Sequence, residues 1–457
     1  MSDIPHPSAT PTPTAPPWRP FRVGRAGKLA LVGGLLLILL LPHAMIEGVI
    51  QEREEYQEQV RDGIARSWGP AQAVVGPMLV VPTRTPVPRL ANETGPLRWD
   101  RGAVAVLPSR LAVEARLAPE RRRRGLFEAV VYDAEATLTA SIAVPAIATE
   151  PETELLWREA FLVTGASDLR SAAADARLAV DGRALAARDT AEAGCLGAEM
   201  IRWDLSLDGP PEPGRALAVA GSLSMRGTGR FGLLPVARRA ELSVAAAWPT
   251  PSFTGAGLPI RAEVTRTGFT ATWQEGTGQA LVRYLGPAWC QGLVSPDAQV
   301  GVDLLEAVPT YRMITRASKY AVMFLALALL TYVLFELVAG VRIHIVQYGL
   351  LGLSVVLFPL LLLAFGEPLG FAAAYAVSTA AIVAQASAYT VAVTRRRGLA
   401  SLFAGLLGGL FGFLYVVLSL EAYALLAGTV ALFAALSMVM VVTRHVDWTG
   451  SGEEAQG

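Results

Sequence analysis

YRMITRASKYAVMFLALALLTYVLFELVAGVRIHIVQYGLLGL, residues 311–353, is where the chain changes solvent. From Tyr320 to Gly340 it is apolar except for Thr331, Tyr332 and Glu336. That length, coiled as a helix, crosses roughly 30 Å of hydrocarbon. Back to about Glu52 the chain reads as water-soluble; onward to Thr443 it reads as lipid-soluble. Arg316 and Lys319 precede the span, and Arg342 and His344 follow it. The stretch therefore joins a soluble domain to a membrane bundle.

Composition agrees. The 457 residues are 53% hydrophobic and 17% charged, against about 25% charged in an average globular chain. Basic and acidic residues balance at 39 each, which excludes the basic surplus of a nucleic-acid binder. Two cysteines are too few for a disulfide scaffold or a zinc ribbon. The histidines are His6, His43, His344 and His445.

Residues 1–20 are rich in Pro, Thr, Ser and Ala and predict a disordered tail with little to bury. Arg19, Arg22, Arg25 and Lys28 then lead into an apolar run over 29–50. A cleaved signal peptide is the rival reading. The long leader and the lack of a small-x-small site favour an uncleaved signal anchor with a cytoplasmic N-terminus, kinked at Pro42 or leaving the membrane core there. In 52–68, Tyr56, Val60 and Ile64 recur every fourth residue, which predicts a helix continuing the anchor and ending at Gly69-Pro70.

From Ala73 to about Val302 the period is two. In Asp133–Val144 one face carries Asp133, Glu135, Thr137 and Thr139, the other Ala134, Ala136, Leu138 and Ile142. Such alternation specifies a half-buried strand. Leu217–Met225, Leu242–Trp248 and Ile260–Val264 alternate likewise, separated by Gly and Pro clusters. Residues 51–318 are expected to form one or two antiparallel β modules, with Trp68, Trp99, Trp157, Trp203, Trp248, Trp273 and Trp289 in the core. Further apolar spans are expected at 345–366, 370–394, 399–418 and 422–443, a bundle over 319–443 that makes six spans with the anchor. Basic residues at 342–344, 395–397 and 444–445 put both termini, including the tail 444–457, in the cytoplasm and the β domain outside.

With the order fixed, specific strings stand out: WGPAQAVVGPMLVVP (68–82), RRGLFEAVVYDA (123–134), WREAFLVTGASDLR (157–170), WPTPSFTGAGLP (248–259), RASKYAVMFLALALLTYVLFEL (316–337), RIHIVQYGLLGL (342–353), EAYALLAG (421–428) and TRHVDW (443–448). Over about Glu52 to Trp448 the chain resembles the CreD family of bacterial inner-membrane proteins. The resemblance implies an inner-membrane location and a part in cell-envelope integrity, without an established biochemical activity. Two departures stand against it: Ile345 where the family pattern has proline, and Ala422 where it has aspartate. No role resting on that acid carries over to this chain, which has Ala422 there.

Between Glu52 and Lys319 there is no histidine, which removes Ser-His-Asp, Cys-His and His-zinc arrangements from that region. No GxSxG, HExxH or GxxxxGK[ST] string occurs. No cofactor or metal is expected, and a non-enzymatic protein fits best. The candidate polar cluster is Glu336, Arg342, His344, Gln347 and Tyr348, since ionisable groups in or near hydrocarbon are costly and often functional. The bland alternative pairs Glu336 with Arg342 merely to fix a turn. Glu367 and Glu421 either line an acidic mouth or are solvated loop charges. Arg121–Arg124 either touches anionic headgroups or is a solvated turn. Gly405, Gly408, Gly409 and Gly412 allow close helix packing, within the bundle or between copies. Cys195 and Cys290, both in the exported domain, are expected to pair, with two free thiols as the alternative. Besides the lipid bilayer, the partner expected is an envelope protein or surface bound by the external domain. A transporter or lipid-handling bundle is the alternative function, though no pair of interrupted helices marks a midplane site.

Overall fold

The computed structural model describes residues 25–88, 96–147, 152–170, 175–188, 198–212, 215–285, 298–304, 310–419 and 424–443. Both expected tails, Glu421, Cys195, Cys290 and Trp289 lie outside these residues. The helices are α1 (Arg25–Trp68), α2 (Thr310–Ala339), α3 (Ile345–Val356), α4 (Phe358–Leu369), α5 (Phe371–Thr394), α6 (Arg397–Ser419) and α7 (Ala424–Thr443). The chain divides into two compact units, one of residues 52–309 and one of 1–51 with 310–457.

The 52–309 unit is built on a 10-stranded and an 8-stranded sheet. One hydrophobic core takes side chains from both: Leu79, Leu162, Trp203, Phe231 and Val302 from the first, Leu111, Leu138, Leu223, Leu242 and Trp273 from the second. The expected alternation is present in strand Phe127–Ala143, where Ala134, Ala136, Leu138, Ala140 and Ile142 are buried and Asp133, Glu135, Thr137 and Thr139 exposed. Strands Ala216–Thr228 and Ala240–Ala246 follow the same rule. The expected all-antiparallel pairing needs correction: Gln72–Pro86 runs parallel to Arg230–Leu234, and Ala240–Ala246 parallel to Arg110–Arg124.

Two further expectations need correction. Strand Arg261–Val264 is exposed on both faces, because it forms an edge of the 8-stranded sheet. Trp99 is also exposed, under the Arg84 guanidinium at 4.8 Å. The amphipathic half of α1 does form: Val60, Ile64 and Trp68 pack on Ala129 and Val131, on the outer side of strand Phe127–Ala143. Trp68 lies under the guanidiniums of Arg122 (3.8 Å) and Arg226 (4.6 Å). Arg121 and Arg123 both pair with Glu128. The arginine run is thus largely engaged by its own domain.

In the other unit, α1 runs unbroken through Pro42 and buries Val32, Leu39, His43, Ile46 and Ile50 along one stripe. Leu31, Leu37, Ile38, Leu41 and Met45 remain exposed on it, as on a helix facing hydrocarbon. Among the described residues, five helical stretches are long and apolar enough to cross a membrane: Gly27–Trp68, Thr310–Leu337, Ile345–Leu369, Phe371–Thr394 and Arg397–Ser419. The expected sixth span corresponds to α7, apolar over Gly428–Met438. The span at 345–369 is interrupted at Leu357: Pro359 lacks the N–H that would reach back to the Val355 carbonyl. Tyr332 of α2 fills the bundle centre, bonded to Thr390 at 2.7 Å and against the rings of Phe335, Tyr348 and Phe403.

Candidate functional site

The turn between α2 and α3 is set by its end residues. Gly340 takes a φ of 64°, a left-handed conformation that stops α2 at no steric cost. His344 then caps α3: its Nδ1 accepts from the Val346 N–H at 3.3 Å, and Gln347 Oε1 accepts from the His344 N–H at 2.9 Å. This reciprocal capping satisfies helix-start donors that would otherwise be orphaned. Two members of the expected cluster, His344 and Gln347, therefore shape the turn.

Glu336 and Tyr348 meet a residue from the far end of the chain. Lys28 Nζ forms an ion pair with Glu336 and donates to the Ile343 carbonyl at 2.8 Å. Tyr348 donates to the second carboxylate oxygen of Glu336 at 3.0 Å. Both charged side chains are largely sheltered, at 30% exposure for Lys28 and 21% for Glu336. The expected Glu336–Arg342 pair is absent among the described residues; Arg342 is exposed. The reason is geometric. The turn carries Arg342 outward, while α1 brings Lys28 to the carboxylate.

The contact continues along α1. Leu35 and Leu39 reach the small positions Gly349 and Gly352 of α3, and a Cβ at Gly352 would lie 2.3 Å from Leu39 Cδ1. Beside the ion pair a cleft of about 290 Å³ is lined by Lys28, Leu29, Val333, Glu336, Leu337, Val341, Arg342 and Tyr348. At the other end of α2, Tyr311 donates to Glu367 Oε1 at 2.8 Å. Glu367 thus has a protein partner and is not a bare loop charge.

Elsewhere the candidates do not assemble. A Cβ at Gly405, Gly408, Gly409 or Gly412 would meet no neighbouring atom within 4 Å, so this face of α6 has no packed partner among the described residues. The outer face of the 8-stranded sheet presents Glu114, Arg116, Glu135, Thr137, Thr270 and Thr272 around a shallow groove of about 360 Å³. Its mixed charges lack the buried apolar centre of an energetic interface. Lys28 is the residue sequence reasoning missed. Its signal was the last cation before an apolar run, at the depth where a membrane acid needs a counter-charge.

Residues 25–449 match the family described as "Inner membrane protein CreD". The chain belongs to the CreD family. The inner membrane protein CreD of Escherichia coli (strain K12) is 31% identical over 429 residues, covering 92% of this chain and 93% of that protein. Membership with several apolar helices makes this a multi-pass inner-membrane protein that meets the lipid bilayer. Among solved structures, an M1 zinc metallopeptidase variant from Deinococcus radiodurans bound to Tyr-Ser-Ala aligns at 11% identity and a TM-score of 0.22. It covers 47% of this chain, which spans 53% of that one. A two-domain M1 zinc metallopeptidase bound to tryptophan gives 10% identity, 47% and 55% coverage, and a TM-score of 0.18. Neither likeness carries an argument about this CreD family member.

Proposed function

We propose that this chain supports cell-envelope integrity as a non-enzymatic scaffold, with 52–309 outside the inner membrane as a module for an envelope protein or surface. The observation that carries this reading is the Lys28–Glu336 contact. The chain enters the β region from α1 and leaves it into α2. Tying those two helices together far along the chain from the insertion fixes both attachments, so the bundle acts as a mount. Tyr348 and the Leu39–Gly352 contact support the same bracing.

The test is complementation of a deletion strain. Cells lacking the protein are expected to be sensitive to detergent, and the wild-type gene restores growth. Lys28→Ala or Glu336→Ala, at normal protein level, restores it only in part; Arg261→Ala, on an exposed edge strand, restores it fully. Equal and complete rescue by all three would remove the clamp from the function. The cleft beside Glu336 favours a second reading, in which the bundle engages lipid.

A further inference from the structure

The end of the bundle that carries the clamp is strongly basic. Tyr332 meets Thr390, and Phe335 meets Phe403, which brings the C-terminal end of α5 and the N-terminal end of α6 to the same end as Glu336. Lys28, Arg342, Arg395, Arg396 and Arg397 gather there, with Arg25 one turn before Lys28. Glu336 is the acid at that end among the described residues, and Lys28 and Tyr348 already engage it. Arg342 is exposed at the cleft rim.

The cleft walls have two characters. Leu29, Val333, Leu337 and Val341 form an apolar side, while Lys28, Arg342 and the Tyr348 hydroxyl form a polar one. The volume of about 290 Å³ is at the lower limit of small-molecule sites, so it suits a headgroup and leaves acyl chains outside. Leu29, on the apolar side, is exposed on α1 and offers surface where such chains would run. A neutral headgroup would leave Arg342 without a counter-ion. A phosphodiester without a cationic substituent answers it with charge-assisted hydrogen bonds, which guanidinium geometry favours.

We propose that the cleft between the start of α1 and the α2–α3 turn binds the headgroup of an anionic phospholipid, with Arg342 as its principal contact. The proposal takes the Lys28–Glu336 clamp as the wall of the site and rests on it. It differs from the scaffold role in predicting a chemically selective ligand.

Lipid retention by the full-length purified protein tests it, independently of any cellular phenotype. Native mass spectrometry would compare added dioleoylphosphatidylglycerol with dioleoylphosphatidylcholine. One cation near a membrane surface confers about a fivefold preference for the anionic lipid, so wild type should retain phosphatidylglycerol at correspondingly lower concentration. Arg342→Gln, an exposed change, should lose the preference, and Arg397→Gln should keep it. Inorganic phosphate added alone should not displace the lipid. Equal retention of both lipids by wild type, an unchanged preference in Arg342→Gln, or an equal loss in Arg397→Gln would each overturn the site. Loss of selectivity with intact complementation by Arg342→Gln would leave the scaffold reading standing.

Discussion

Tyr132 shows how one buried residue organises the β region. Its side chain is fully buried, and its hydroxyl donates to the Arg230 carbonyl at 2.5 Å. A Cβ on Gly227 would lie 2.3 Å from the phenol, so only glycine fits beside it. Burial raises the Tyr132 pKa far above its ordinary value, opposed weakly by a hydrogen bond from the Gln72 backbone. The unfolded phenol ionises near about pH 10 and the folded one does not. The folded state therefore keeps a proton that the unfolded state loses. Stability is full below about pH 10 and declines above it, by about 1.4 kcal/mol per pH unit. Tyr132→Phe should cost about 1–2 kcal/mol at neutral pH, by orphaning the Arg230 carbonyl, and should lose that alkaline slope. Unfolding midpoints of both proteins between neutral and alkaline pH measure this. Identical slopes would mean that Tyr132 ionises without unfolding.

At the scale of the element, α1 changes role along its length. Its first half is a hydrocarbon-facing helix with one packed stripe, and its second half is an amphipathic strut on strand Phe127–Ala143. Ile64, 6% exposed, is the buried member of that strut's apolar contact, with Val60 and Trp68 partly buried beside it. Ile64→Ala should cost about 2–4 kcal/mol through lost burial and a cavity, whereas Val60→Ala, half-buried, should cost less. Protease sensitivity of 52–68 together with the unfolding midpoint reports it; equal effects would deny the strut its packing role. Both halves were legible from the sequence, the first from its apolar run and the second from apolar residues at every fourth position, which share one helix face. The partner of Glu336 was not. Local spacing suggested Arg342, and the actual partner lies 308 residues away, a tertiary contact that no local pattern encodes. The exposure of Ile260 and Val264 was hidden for a similar reason, since alternation does not reveal whether a second layer covers the strand.

For the whole molecule, the decisive quantity is the number of crossings, and it rests on α7. Twenty residues rising about 1.5 Å each cover about 30 Å, the thickness of the hydrocarbon core. An interfacial helix would need a polar face opposite an apolar one. In α7 Leu426, Val430, Phe433, Leu436, Met438 and Val441 are all exposed, spread around the helix. The hydroxyl of Ser437 is occupied by the Phe433 carbonyl at 2.9 Å. With no polar side to present to water, α7 is better placed across the membrane than along it. A sixth crossing would put the C-terminus on the same side as the N-terminus, in agreement with the basic Arg395–Arg397 and Arg444–His445 segments. A phosphatase reporter fused after Gly194 should then be active, and one fused after Arg397 or after Trp448 inactive. Activity at Trp448 with silence at Arg397 would mean that α7 does not cross, leaving five spans and the two termini on opposite sides.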